Sequence, residues 1–143
     1  MNSNNHIGVS VSGRYKIFVL SKGIIVQERP WANNLILDQG KNYWAGGVGP
    51  FAYLVRACAV GTGTTPPAAS DTGLQSEAKR TTTYYTASGG CGYSDTGATR
   101  KLWRTFDFST ESAGVNYSEL GWSYSDSAGA NLFSRALISG GTV

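Results

Sequence analysis

Apolar and polar residues alternate in short runs along most of the chain, and glycine, proline and serine divide the runs. Ile7, Val9 and Val11 alternate with Gly8, Ser10 and Ser12, the period-two pattern of a strand with one buried face, and Ser12-Gly13 breaks it. Tyr15–Leu20 is β-branched and aromatic, and Ser21-Lys22-Gly23 separates it from Ile24-Ile25-Val26. Two apolar runs around a short Gly-containing gap predict a β-hairpin, and Pro30, which has no N–H for a ladder, ends its second strand. Phe51–Val60 is apolar except for Arg56 and predicts a central strand covered on both faces. Further strands are predicted at Arg80–Thr86, Leu102–Phe108, Ser118–Ser123 and Leu132–Ile138, with a glycine loop at Ser88–Gly97 and a turn at Asp126–Gly129.

One segment departs from this pattern. In Leu35–Ala45 the residues Ile36, Leu37, Gly40, Tyr43 and Trp44 fall near three-to-four spacing, Asn33 and Asn34 are candidate caps, and Gly46-Gly47 supplies a stop. The spacing predicts a short helix, with Gly40 costing it about 1 kcal/mol relative to Ala. In Gly61–Asp71, Pro66-Pro67 forbids regular pairing and predicts an extended, solvated stretch, after which Asp71-Thr72 is read as capping a single helical turn through Gln75 and Ala78. The expected fold is mainly β: an antiparallel β-sandwich or flattened barrel with one short helix packed on the sheet. It is read as a single domain over residues 1–143, with a flexible N-terminal arm at 1–6 and an extended Thr/Pro loop at 62–70.

Composition narrows the class. With 41% hydrophobic and 15% charged residues, the 143-residue chain is too poor in charge for a coiled coil and, at 12% aromatic, too rich in rings for disorder. No apolar run approaches the roughly 18 residues of a membrane-spanning helix, and Met1–Asn5 lacks the basic start and apolar stretch of a secretion signal. The net charge of +3 is scattered rather than gathered into a stripe, so neither nucleic acid nor membrane insertion is expected. Cys58 and Cys91 fit no metal or redox spacing; two reduced thiols are expected, Cys58 as a core residue, with a bridge between them as the alternative.

Candidate chemistry is sparse. His6, the only histidine, lies in the polar N-terminal stretch, so no base is at hand for a cysteine nucleophile. Asp107, Glu111 and Glu119 offer carboxylate pairs for glycoside cleavage, but nine acids on a small β domain read as turn caps and surface charges. Gly61-Thr62-Gly63 is read as a turn at a strand exit, because no lysine follows and the prolines remove the donors a phosphate cradle uses. Asp126–Asn131 lacks the alternating oxygen ligands of a calcium loop. No catalytic residue, cofactor site or metal site is expected. Among the aromatic residues, Trp44 and Trp122 are read as core. Trp31 beside Pro30, and the neighbours Tyr84 and Tyr85, must each leave a ring outside it, because adjacent strand residues face opposite sides.

The stretch Ala57-Cys58-Ala59-Val60-Gly61-Thr62-Gly63-Thr64-Thr65-Pro66-Pro67-Ala68-Ala69-Ser70-Asp71-Thr72-Gly73-Leu74 resembles a segment recurrent in tailed-bacteriophage virion proteins. In these an apolar strand ends in a Val-Gly-x-Gly-Thr turn, a Thr/Pro/Ala loop follows, and Asp-Thr-x-Leu opens a short helix. Asn33–Gly40, Tyr117–Trp122 and Asn131–Ala136 agree in order, so the resemblance spans about residues 33–138. It implies a β-rich structural subunit of a tail, collar or fibre-attachment region, assembled in the host cytoplasm into the virion and working as a multimer without catalysis or cofactor. The implied partners are other copies of itself and other virion proteins, with a host-surface receptor as a further candidate. Proteins of this kind continue past the Leu-Phe-Ser-Arg-Ala strand with another strand, which implies here an open sheet edge or a closing strand from another subunit. The candidate subunit interface is Trp31, Thr64, Thr65, Pro66, Pro67, Tyr84 and Tyr85. Two rival readings stand beside it: a receptor- or carbohydrate-binding adhesin module using Tyr84, Tyr85 and Trp31, and a small hydrolase using acidic pairs.

Overall fold

The computed structural model describes residues 10–47, 55–85, 91–95, 100–108, 115–129 and 131–138. The predicted arm at 1–6, residues 7–9 and 51–54 of two predicted strands, Thr86, residues 88–90 and 96–97 of the glycine loop, Glu111 and the last five residues lie outside them. The described chain forms β1 (Gly13–Tyr15), β2 (Phe18–Ser21), β3 (Ile24–Glu28), β4 (Ala32–Ile36), α1 (Asp38–Ala45), β5 (Ala57–Gly61), β6 (Glu77–Thr81), β7 (Cys91–Asp95), β8 (Arg100–Arg104), β9 (Glu119–Ser123) and β10 (Leu132–Leu137). Six strands make one antiparallel sheet in the order β1-β4-β10-β9-β5-β6, and β2–β3 and β7–β8 are separate hairpins. The fold is mainly β with antiparallel pairing and one short helix, as the alternation predicts.

Strand alternation gives the large sheet two unlike faces. On one, Tyr15, Val60, Leu120 and Ala136 form an apolar cluster with Ile138, and Ile36, Val55 and Phe133 form another beside it. Leu102 of β8, with Phe106 and Phe108 beyond it, packs onto these clusters, so the β7–β8 hairpin supplies a second, sandwich-like layer. Trp44 and Trp122, expected as core, pack against the second cluster and are partly buried. The other face mixes small residues with two charges and one apolar cluster: the register sets Arg135 beside Gly121, Gly121 beside Ala59 and Glu119 beside Gly61, and Ala59 packs with the wholly buried Leu37 and Leu132. Gly61 and Gly63 leave room for the chain after β5 to come down onto this face.

The helix begins later than the spacing predicts. Leu35 and Ile36 pair with Arg135 and Ser134, so the ladder holds them as the end of β4. Asn34 is buried and donates Nδ2 to Ser134 Oγ at 2.8 Å instead of capping; Leu37, extended and without a side-chain cap bond, precedes the first turn. Gly40 does more than weaken the helix: a Cβ there would stand 2.9 Å from Phe133 Cα and closer still to its carbonyl oxygen. Backbone contact between α1 and β10 requires the missing side chain.

Other boundaries move for similar reasons. β1 occupies the predicted break at Gly13, where it pairs with β4. β6 lies at Glu77–Thr81 rather than Arg80–Thr86, leaving Tyr84 to bridge Phe106 alone. Cys91–Asp95, predicted as loop, pairs with β8. No helical turn follows Asp71. The predicted hairpin forms around Lys22 (φ 50°) and Gly23 (φ 79°), the left-handed pair of a two-residue turn, and β3 ends just before Arg29-Pro30. β10 is interior; among the described residues the edge strands of the large sheet are β1 and β6.

Gly40→Ala tests the helix contact. Propensity alone would stabilise α1 by about 1 kcal/mol, whereas overpacking against β10 costs about 1–3 kcal/mol. The expected outcome is a net loss of stability, read as a lower urea midpoint.

Candidate functional site: a buried carboxylate cradle and an exposed apolar hairpin

Two buried charges organise the small-residue face. Glu119 is wholly buried and Arg135 is 3% exposed, and they meet across the β9–β10 pairing, Arg135 Nε donating to Glu119 Oε2 at 2.9 Å. The same carboxylate accepts from Gly63 N (3.0 Å) and Ser76 N (2.7 Å) at Oε1, and from Gln75 N (3.1 Å) at Oε2. Arg135 also donates to Asp71 Oδ2 at 2.6 Å and to the Thr65 carbonyl at 3.0 Å. Gln75 closes the loop on itself, its Oε1 accepting from Thr64 N and Thr65 N at 2.9 Å each. A Cβ at Gly61 would fall 2.7 Å from Glu119 Oε1, and one at Gly63 would meet the same carboxylate. The Gly61-Thr62-Gly63 turn therefore does cradle an anion, and the anion is this protein's own side chain.

This overturns the reading of Glu119 as a surface acid and of the Thr/Pro loop as simply solvated. Thr64, Thr65 and Pro66 are exposed, and Pro67 is half-buried beside a shallow groove with Asn33, Leu35 and Leu137, but the backbone beneath them is tied to the sheet. The sequence carried a usable signal: Arg135 lies within the apolar run Leu132–Ile138, and a charge buried inside such a strand must be paired. Its partner could not be read, because it depends on which strands are neighbours. Glu119 is thereby committed to Arg135 and the loop. Asp107 N donates to the Thr83 carbonyl beside the Tyr84–Phe106 bridge; Glu111 is outside the described residues.

A second buried pair flanks the first on the same face. Arg80 grips Glu77 with two bonds of 2.9 Å and donates to Ser123 Oγ (2.7 Å) and the Ser125 carbonyl (3.0 Å), holding β6 to the end of β9. Both cysteines are free. Cys58 is buried in β5, where desolvation pushes its thiol up to about 12, while Cys91 is exposed on β7. Among the described residues no group of three or more His, Cys, Asp or Glu side chains is placed to hold a metal ion, and no helix is long and apolar enough to cross a membrane.

The structure does not bring the predicted aromatic candidates together. Trp31 precedes β4 at the β1 edge, half-exposed, with the Arg14 guanidinium 4.8 Å and the Lys16 ammonium 5.9 Å from its ring centre. Tyr84 and Tyr85 follow β6 at the opposite edge, four strand spacings or about 19 Å from the line of β4 along the sheet. Tyr84 is held by Phe106, by the Arg104 guanidinium at 4.6 Å and by a 2.9 Å bond to the Arg56 carbonyl, while Tyr85 is exposed.

One exposed apolar feature among the described residues was not singled out by sequence reasoning. All five residues of β3 are exposed, with Ile24 at 70%, Ile25 at 53% and Val26 at 60%, and Phe18 and Leu20 of β2 are exposed beside them. Ile24 and Ile25 face opposite sides of the hairpin, so both sides are apolar. The pattern that predicts a hairpin is silent on whether anything covers it.

No family model, curated protein or solved structure matches the chain.

Two tests address the cradle. Glu119→Gln keeps the shape but leaves Arg135 buried without its counter-charge, and is expected to cost about 3–5 kcal/mol in urea unfolding. Hydrogen exchange should speed up at Gly63, Gln75 and Ser76, whose amides it holds. Asp71 gives the pH arm. The Ala68 N–H foremost, then Arg135, hold its carboxyl below the ordinary 3.8 against an opposing effect of burial. The unfolded chain therefore takes up that proton first, so this stabilisation is complete above about pH 3.8 and is lost as pH falls through the lower folded value. Asp71→Asn is expected to flatten that acid limb of the stability curve.

Proposed function

We propose that this chain is a structural subunit of a tailed-bacteriophage particle, built into the tail, collar or fibre-attachment region and acting through assembly rather than catalysis. The observation that carries the reading is the β2–β3 hairpin, held out with apolar residues on both sides. Hydrophobic surface of that kind on a folded protein marks a place where another protein sits. The ordered resemblance across residues 33–138 indicates the class of particle. The buried Glu119–Arg135 pair supports the role from the other side. It gives a small subunit a stiff body, and it fixes the Thr64–Pro67 loop as a surface of defined shape for other copies or other virion proteins. The dispersal of Trp31 and Tyr84-Tyr85 to opposite edges favours this reading over an adhesin with one aromatic platform.

The test is location. An antiserum against the purified chain, applied to particles of the phage that encodes it, is expected to label one region of the tail or collar in negative-stain electron microscopy, with the chain present in several copies by quantitative mass spectrometry. Particles that contain none of it overturn the proposal.

A further inference from the structure

We infer that the exposed row of β4 and the cations beside it form a binding site for an acidic saccharide, with a sugar ring stacked on Trp31 and its carboxylate held by Arg14. The inference goes beyond the assembly reading and does not rest on it. It uses Trp31 without Tyr84 and Tyr85, which lie at the far edge of the sheet.

Strand alternation builds the platform. β4 buries Asn34 and Ile36 and exposes Asn33 and Leu35, and Trp31, one residue before the strand, continues the exposed row. Residues two apart on a strand lie about 6.6 Å from each other, so the row runs about 13 Å, room for a short oligosaccharide. The register sets Arg14 beside Asn33 on one flank, and Pro67 stands on the other, across the shallow groove that Asn33 and Leu35 line. The Arg14 guanidinium 4.8 Å from the Trp31 ring centre and the Lys16 ammonium 5.9 Å from it place the ring and both cations together at one end of this row.

These groups are positioned but not used up. Lys16 is paired with Glu28, whereas among the described residues no carboxylate pairs with Arg14, and neither its N–H donors nor the Asn33 side-chain amide meets a protein partner. Trp31 stays 55% exposed under the guanidinium. A guanidinium held against an exposed indole offers, at one place, an apolar plate for the C–H face of a sugar ring and a forked donor for a carboxylate. Asn33, next along the row, has both a donor and an acceptor for ring hydroxyls. Charge favours an anion: Arg14, Lys16, Lys22 and Arg29 against Glu28 give residues 14–29 a charge of +3, equal to the formal charge of the whole chain. Two other anionic ligands fit less well. Single-stranded nucleic acid is held by successive stacking rings along a basic track, and this row has one ring. An acidic peptide is held by a free strand edge or by pockets for its side chains, whereas this site is the face of a strand paired on both sides, and its groove is shallow.

Titration of the isotope-labelled chain, followed by NMR at the Trp31 indole N–H and the Asn33 amide, tests the site. The probes are a galacturonate trimer, a hyaluronan tetrasaccharide and sialyllactose, each against its carboxyl methyl ester, which keeps the ring and removes the charge. At least one acid is expected to bind, with its ester about tenfold weaker, and added salt to weaken the acid alone. Trp31→Ala, read at the Asn33 amide, is expected to weaken binding about tenfold or more. Arg14→Gln, an exposed change that keeps the wild-type circular dichroism, is expected to bring the acid down to the affinity of its ester and leave the ester unmoved, and Arg14→Lys to recover part of the difference. No acid bound at millimolar concentration, esters bound as tightly as acids, binding indifferent to Trp31→Ala or Arg14→Gln, or oligothymidylate or oligoglutamate bound more tightly than every saccharide overturns the site. A chain that binds the acids but is absent from particles keeps this site and loses the structural role; one found in particles that binds none of them does the reverse.

Discussion

The fold depends on one buried ion pair and on the bonds that make its burial tolerable. Taking a carboxylate and a guanidinium out of water costs several kcal/mol per ion, which their mutual attraction offsets only when the remaining lone pairs and protons find partners. Glu119 and Arg135 meet that condition with groups that are themselves structural: the amides of Gly63, Gln75 and Ser76, the Thr65 carbonyl and the Asp71 carboxylate. The pair therefore links the β9–β10 pairing and the path of the loop into one unit. A shift of one residue in either strand would carry one charge to the opposite, apolar face.

That dependence explains the composition of the two faces. The face with Val60, Leu120 and Ala136 is apolar and is met by side chains from the β8 layer. The other must let backbone reach a carboxylate, which side chains at positions 61 and 63 would prevent. Glycine at Gly61 and Gly63 follows from that requirement; at Gly121 the constraint is instead the Ser134 carbonyl and the Leu132 side chain, which a Cβ would strike. Gly40 repeats the device where α1 meets β10.

Strand alternation made most of the sheet legible. β5, β9 and β10 lie where apolar runs predict them, and the hairpin turn at Lys22-Gly23 was written in its glycine. The errors cluster where a contact distant in sequence overrides a local preference. Leu35 and Ile36 have helical spacing but become ladder partners of β10. Asn34 has a capping side chain but faces Ser134. Asp71 resembles a helix start but binds Arg135. Glu119 was misread for the same reason: its burial depends on the loop, and the loop's position depends on Glu119. No local pattern contains that circle. Trp31 and the two tyrosines were visible as surface aromatics, yet their separation follows from strand order alone.

The molecule also inverts the ordinary partition of residue types. Arg135, Glu119, Arg80 and Glu77 are held inside or nearly so, while Ile24, Ile25 and Val26 stand in water. Within the sheet the inversion is resolved, because each buried charge has a counter-charge and fixed donors. At the hairpin it is not resolved by anything in the described chain. The two halves fit one logic: paired charges impose a unique register on the body, and a rigid body can hold an apolar edge away from its own core. A looser domain would fold such a strand inward. Here the small-residue face is already occupied by its loop and the apolar face by its second layer, so among the described residues neither face of the large sheet is open to the hairpin strand.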